Sequence, residues 1–438
     1  MTVLFYTSIP RAFQTTLIGN LYEICQVYPT ILLSEELNPE TERILQKKEL
    51  FPKLEKIVPV RAHTGEKNSP FFKNCYLYNL AKKIIKEYKP DVVVTASDMY
   101  PFEMYLMRFS KRIKALNIAI QPLNAVDSEA IGKWVDLTNS YLRFPSFLPL
   151  RLRFFLVKCR KYFGQFLYYW LLPVTVGEKP FLGKSSYILR KGNSGMRDAD
   201  YQIVFSERDY NIFIKDGVPA EKLYILNHPL SRETKNFFEK AYLNKFKKVK
   251  EGKNIFCLML PGEIELGFER SNFSLISREE REIKWVRIIK LISHIFPEWI
   301  ICIKPHPDTR KIDKLKEKFE LISENIKVAD IQDSADKYIE MGDVIIGLPL
   351  SVSTVLFTAS LQCPEKPIIS LDFHQEILGD YYRDFKGIEY IDNEDKFINI
   401  LKSIRDNKYQ KEYKWFRGKT TAEKEFSNSI EMINKLHN

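Results

Sequence analysis

Short unbroken apolar runs, each followed by a stretch of helical period, recur along almost the whole of this chain. Runs of that kind suit strands covered on both faces, which are parallel strands flanked by helices, so an α/β architecture follows first. The first series has strands at Thr2 to Thr7, Thr30 to Ser34, Asp91 to Thr95, Ile118 to Gln121, Gln202 to Phe205 and Lys222 to Leu226. Helices are predicted from about Phe13 to Gln26, Lys73 to Glu87 and Ser206 to Lys215, the last opening on a serine cap. A second, tighter series has strands at Asn254 to Leu260, Trp299 to Lys304, Ile326 to Val328, Val344 to Gly347 and Pro367 to Leu371. Helices over Arg278 to Ile295, Ala335 to Met341 and Ser353 to Leu361 lie between them, and the tail from Asn393 onward reads as helical.

With 438 residues the chain exceeds one ordinary core, so two domains are expected. The polar stretch from Ser231 to Lys253 marks the boundary. The predicted division is 1–235, 250–410, and a closing helix over 411–438. Both domains are expected to be doubly wound and Rossmann-like, facing each other across a cleft.

The net charge of +11 favours an anionic partner. The basic residues are scattered and no nucleic-acid motif is present, which argues against DNA or RNA. The six cysteines show no CxxC pair, so reduced thiols are expected and a zinc site is not. The opening MTVLFYTSIP lacks the charged n-region and long apolar core of a secretory signal, and no run of about 18 apolar residues occurs. A cytoplasmic location is expected. Residues 144–176 break the pattern by mixing Arg151, Arg153, Lys158, Arg160 and Lys161 with many aromatic residues. That segment is either a helix packed on the core with snorkelling basic stems, or a helix lying on an anionic membrane surface.

Chemistry concentrates in the second series. A strand ends at Lys304, and Pro305 and Pro307 then hold His306 rigidly at its carboxyl end, where doubly wound sheets bind ligands. Lys304 adds positive charge beside the imidazole. Downstream, the strand at 344–346 runs into Gly347, and Ser351, Ser353 and Thr354 fall at the start of a helix. Bare amides, a helix dipole and hydroxyls together make an anion site.

These residues resemble the motifs of bacterial GT-B transferases that use CMP-activated acidic sugars, the sialyltransferase, polysialyltransferase and Kdo-type capsule enzymes. The His-Pro motif is matched by His306-Pro307 and the Ser-Ser/Thr motif by Ser353-Thr354. Lys304-Pro305 is also similar to the CDP-glycerol polymerases of teichoic acid synthesis. The resemblance covers about 254–375 and implies that His306, Ser353 and Thr354 grip the phosphate of a CMP-sugar, without a metal or other cofactor. Those families carry the general base in an acidic pair before glycine, and no strict copy exists here. Gly262 to Gly267 is nearest, making Glu265 and then Glu263 the candidate bases, with Asp98 and Asp127 as rivals at first-domain strand ends. The acceptor expected is a surface glycan or glycolipid. A polyol-phosphate transferase and a non-catalytic membrane scaffold are the alternatives.

Overall fold

The computed structural model describes residues 1–7, 13, 17–35, 37, 39–61, 70–98, 100–121, 148–149, 151–153, 155–156, 159, 163, 171–178, 198–227, 253–260, 278–306, 312–331, 333, 335–348, 355–363, 365–373, 382–383, 387–410 and 424–437. Two compact units divide the chain. Unit 1 is Met1–Ala241 with Gly418–Asn438, and unit 2 is Tyr242–Arg417.

Unit 1 is built on eight parallel strands: β1 (Val3–Tyr6), β2 (Thr30–Ser34), β3 (Leu54–Pro59), β4 (Val92–Thr95), β5 (Leu116–Ile120), β6 (Tyr201–Val204), β7 (Leu223–Leu226) and β14 (Glu425–Phe426). Their order across the sheet is β14-β7-β6-β5-β4-β1-β2-β3. Every residue of β1, β2 and β4 is buried, which is why these strands read as plain apolar runs. The helix Pro70–Tyr88 packs beside Pro101–Arg112, and both cover the sheet with Leu77, Ala81, Tyr105 and Leu106. Ser206 caps the helix Glu207–Lys215 as predicted, its hydroxyl accepting the amide of Asp209 at 3.0 Å.

Unit 2 has six parallel strands: β8 (Ile255–Met259), β9 (Ile300–Lys304), β10 (Ile326–Val328), β11 (Val344–Gly347), β12 (Ile368–Leu371) and β13 (Glu389–Ile391). The order β10-β9-β8-β11-β12-β13 reverses between β8 and β11, which is the Rossmann arrangement with its topological switch point at β8. Phe256 of β8, Phe296 and Trp299 form an aromatic cluster with centroids 4.7 to 4.9 Å apart, and the buried Trp285 joins the same core.

The tail departs from its helical reading. A helix runs Glu394–Arg405, capped by Asn393, but β14 and the helix Ser429–His437 then return to unit 1. β14 extends the sheet beyond β7, and Met432 and Ile433 are fully buried. The Ser429 amide donates to Glu23 at 2.8 Å, and Asn20 donates to the Ser429 hydroxyl at 2.9 Å. Two residues of strand are too few to leave a periodic trace in the sequence.

Candidate site at the carboxyl edge of unit 2

Three strand ends meet side by side. Met259 of β8 is in register with Lys304 of β9 on one flank and with Gly347 of β11 on the other. The amide of Leu260 donates to the Lys304 carbonyl at 3.0 Å, and the amide of Leu348 to the Met259 carbonyl at 3.4 Å. The turns after β8, β9 and β11 therefore leave the sheet next to one another, astride the switch point. The two motif-bearing strands, β9 and β11, are not neighbours. β8 separates them, setting their ends about 10 Å apart, two strand spacings. β8, the strand that precedes Glu263 and Glu265 in sequence, ends between them.

His306 is half-buried, two residues beyond the end of β9. Pro307, Glu263, Glu265, Ser351, Ser353 and Thr354 lie outside the described residues, as does Asp127. Lys304, expected to add positive charge beside the imidazole, is buried, and its ammonium donates to the carbonyls of Pro305 at 2.8 Å and Ile331 at 3.3 Å. Burial pushes this lysine below its usual range, opposed by the charges of Asp333 and Asp330. Lys304 is thus a brace that ties the turn after β9 to the loop after β10. Asp333 accepts from Tyr338 and from Lys337, and the Tyr338 hydroxyl foremost holds its carboxyl below the usual range.

Gly347 also has a steric task. A Cβ there would lie 2.6 Å from Cδ1 and 2.7 Å from Cγ of the buried Leu356, so glycine is what lets the helix Val355–Gln362 seat against the end of β11. That helix follows directly on Ser351, Ser353 and Thr354. Asp372, which follows β12, is buried and accepts from the Tyr390 hydroxyl at 2.7 Å.

In unit 1, Asp98 follows β4, at that sheet's own switch point beside β1. It is fully buried, and its carboxylate accepts the amides of Asp198 at 3.1 Å and Ala199 at 3.3 Å, fastening the turn to the entry of β6. Two residues at this edge carry polar groups that the sequence reading passed over. Tyr6, the last residue of β1, donates to Glu35 at 2.9 Å, and Glu103 is buried nearby. Burial, then Glu103 and Glu35, push the Tyr6 phenol well above its usual range. Tyr6 was hidden because it sits inside an apolar run; its position at a strand end was the available signal.

No family model and no curated protein matches the sequence. Solved structures do. The UDP-GlcNAc 2-epimerase of Methanocaldococcus jannaschii is similar over 100% of this chain and 99% of its own, with TM-score 0.55 and 13% identity. The UDP-GlcNAc 2-epimerase of Neisseria meningitidis, solved bound to UDP-GlcNAc, is similar over 93% of this chain and 92% of its own, with TM-score 0.52 and 12% identity. At such identities the likeness establishes the fold. The chain has the GT-B fold, with two Rossmann-like parallel-sheet units. The CMP-sugar part of the sequence reading rests on the motifs alone.

Proposed function

We propose that this chain is a nucleotide-sugar enzyme, and specifically a transferase that moves an acidic sugar from a CMP-linked donor to a glycan or glycolipid acceptor. The observation that carries the reading is the arrangement in unit 2, where the His306 turn, the acidic loop and the Gly347 turn leave adjacent strand ends at the switch point. In this reading, unit 2 takes the donor and unit 1 the acceptor. His306 and the hydroxyls of Ser353 and Thr354 hold the phosphate, aided by the start of the following helix. Glu265, or failing it Glu263, takes the proton of the attacking hydroxyl. The new bond forms between the acceptor oxygen and the anomeric carbon, while the bond to the phosphate oxygen breaks and CMP leaves with the electron pair. Protein donors neutralise the departing phosphate, so no metal is required.

Thermal shift with CMP, CDP and UDP tests the reading. CMP, or CDP for the polyol-phosphate alternative, should stabilise the wild type and lose most of its effect in His306→Ala. If neither ligand shifts the wild type, the donor assignment is lost. A second reading is favoured by the whole-chain likeness to UDP-GlcNAc 2-epimerases. It predicts stabilisation by UDP instead, and exchange of the C2 proton of UDP-GlcNAc in deuterated water, which the transferase reading excludes.

A further inference from the structure

Most of the basic, aromatic segment 144–176 lies outside the described residues, whereas the surroundings of Lys304 are nearly continuous. There the brace at Lys304 is only as rigid as the chain it is tied to. Regular pairing of β9 with β10 reaches as far as the Ala329 amide, which donates to the Ile303 carbonyl at 2.8 Å. Beyond it, Lys304 joins the turn after β9 to the chain after β10 through the Ile331 carbonyl at 3.3 Å. A lysine stem is flexible enough to follow a moving acceptor, so this bond fixes the turn only where the acceptor is itself fixed.

The acceptor is held from a third element. The helix Ala335–Met341 lies against β8 and β9, and its buried Tyr338 donates to the carboxylate of Asp333, two residues beyond Ile331. Lys337 adds a bond to the same carboxylate at 3.0 Å from a more exposed side chain. The Asp333 amide donates back to the Asp330 carbonyl at 3.3 Å, so Ile331 sits inside a turn whose end is tied down. Burial, then the bond to Asp333, push the Tyr338 phenol well above its usual range, which keeps it a donor at neutral pH. The same helix is tied on its other side as well. Lys366, which follows the helix Val355–Gln362, donates to the carbonyls of Ile339 at 3.0 Å and Glu340 at 2.5 Å. One short helix thus has ties toward both of the turns that β8 keeps apart. A buried tyrosine needs some partner, and any nearby carbonyl would serve. Here the partner is a charged group in the segment to which Lys304 is fastened, which is what support of the His306 turn requires.

We infer that Tyr338 is a positioning residue for His306, acting through Asp333 and Lys304 on the turn that presents the imidazole. Its consequence for binding rests on the reading that His306 holds the nucleotide phosphate. Its effect on the imidazole itself does not, and the role needs no contact between Tyr338 and the ligand.

Two measurements on the full chain test it. The first needs no ligand. It follows the imidazole signal of His306 in a proton–carbon correlation spectrum, picked out among the six histidines by its loss in His306→Ala. Tyr338→Phe and Asp333→Asn should each move that signal, and Arg287→Gln, which breaks a surface pair with Glu394, should not. Because Asp333 is partly exposed, its variant serves where Tyr338→Phe disturbs the core. The second measurement is CMP affinity, taken from the concentration dependence of the thermal shift. Tyr338→Phe should weaken CMP about five- to tenfold in the wild-type background. In His306→Ala the further loss should be roughly twofold at most, because the residue acts through the imidazole that this variant lacks. A tyrosine that merely props up the fold would weaken binding by the same factor in both backgrounds. A His306 signal unmoved by either variant, undiminished CMP affinity in Tyr338→Phe, or equal losses in the two backgrounds would each overturn the inference. A moved signal in a protein that no nucleotide stabilises would support it and sink the donor assignment alone.

Discussion

Gly347→Ala offers the sharpest test of how the unit 2 site is held. The added methyl would lie 2.6, 2.7 and 2.9 Å from Cδ1, Cγ and Cδ2 of Leu356. Comfortable carbon–carbon contact begins at about 3.5 Å, so either the leucine or its helix must retreat by roughly 1 Å. Leu356 is 1% exposed and has little room to swing. Gly347 is not among the residues with positive φ, so the penalty is steric and not a matter of backbone strain. Overpacking of this kind costs about 1–3 kcal/mol, offset by about 0.4–1 kcal/mol from restricting the unfolded chain. A net loss of about 1–2 kcal/mol in unit 2 is expected, read by urea unfolding through Trp285 and Trp299. The displaced helix begins just after Ser351, Ser353 and Thr354, so CMP affinity should fall together with stability. Leu356→Ala alone should cost about 2–5 kcal/mol by leaving a cavity. In the double variant the two side chains no longer collide, so the losses should be less than additive by about 1 kcal/mol. Strict additivity, or a Gly347→Ala protein as stable as wild type, would refute the close-approach argument.

Other outcomes follow from the same contacts. Lys304→Met should lose about 1–3 kcal/mol by orphaning the carbonyls of Pro305 and Ile331, and a thermal shift to CMP should persist in weakened form if the lysine acts as the brace its two backbone hydrogen bonds make it. Glu431 is held near 2, from an ordinary 4.5, first by Lys435 and then by the Ser427 hydroxyl and amide. Its folded value lies below its unfolded one, so the stabilisation is complete above about 4.5 and disappears as pH falls towards 2. Hydrogen exchange in the helix Ser429–His437 should accelerate over that window in wild type, and Glu431→Gln should flatten the change. Met432→Ala with Ile433→Ala should cost about 3–6 kcal/mol in unit 1, from two buried side chains, and should hasten proteolysis there while leaving nucleotide shifts in unit 2 intact.

The central strands were legible because burial on both faces leaves only apolar residues, as in the runs at β4 and β8. The sheet margins were not. In β3 only Leu54 is fully buried, and Glu55 and Lys56 face solvent, so no apolar run exists to be read. β13 is equally polar, with Glu389 and Tyr390 before the buried Ile391. At the site, strand ends could be read from the sequence, and so could the turns at His306 and Gly347. The direction of Lys304 could not, because a lysine at a strand end looks the same whether it reaches for a phosphate or for the backbone carbonyls of Pro305 and of Ile331, 27 residues on. Spatial order was hidden as well. Sequence order sets β9 before β11, but only long-range pairing inserts β8 between them.

The return of β14 and the last helix to unit 1 has a consequence for biosynthesis. Among the described residues, the strand that pairs with the outer edge of β7, β14, emerges from the ribosome only after all of unit 2 has been made. Until then unit 1 presents an open strand and an uncovered face on the helix Ile18–Val27, both adhesive to other unfinished chains. Nascent chains stalled within unit 2 should therefore be the species that chaperones hold, and release should coincide with the arrival of Ser429 at Glu23.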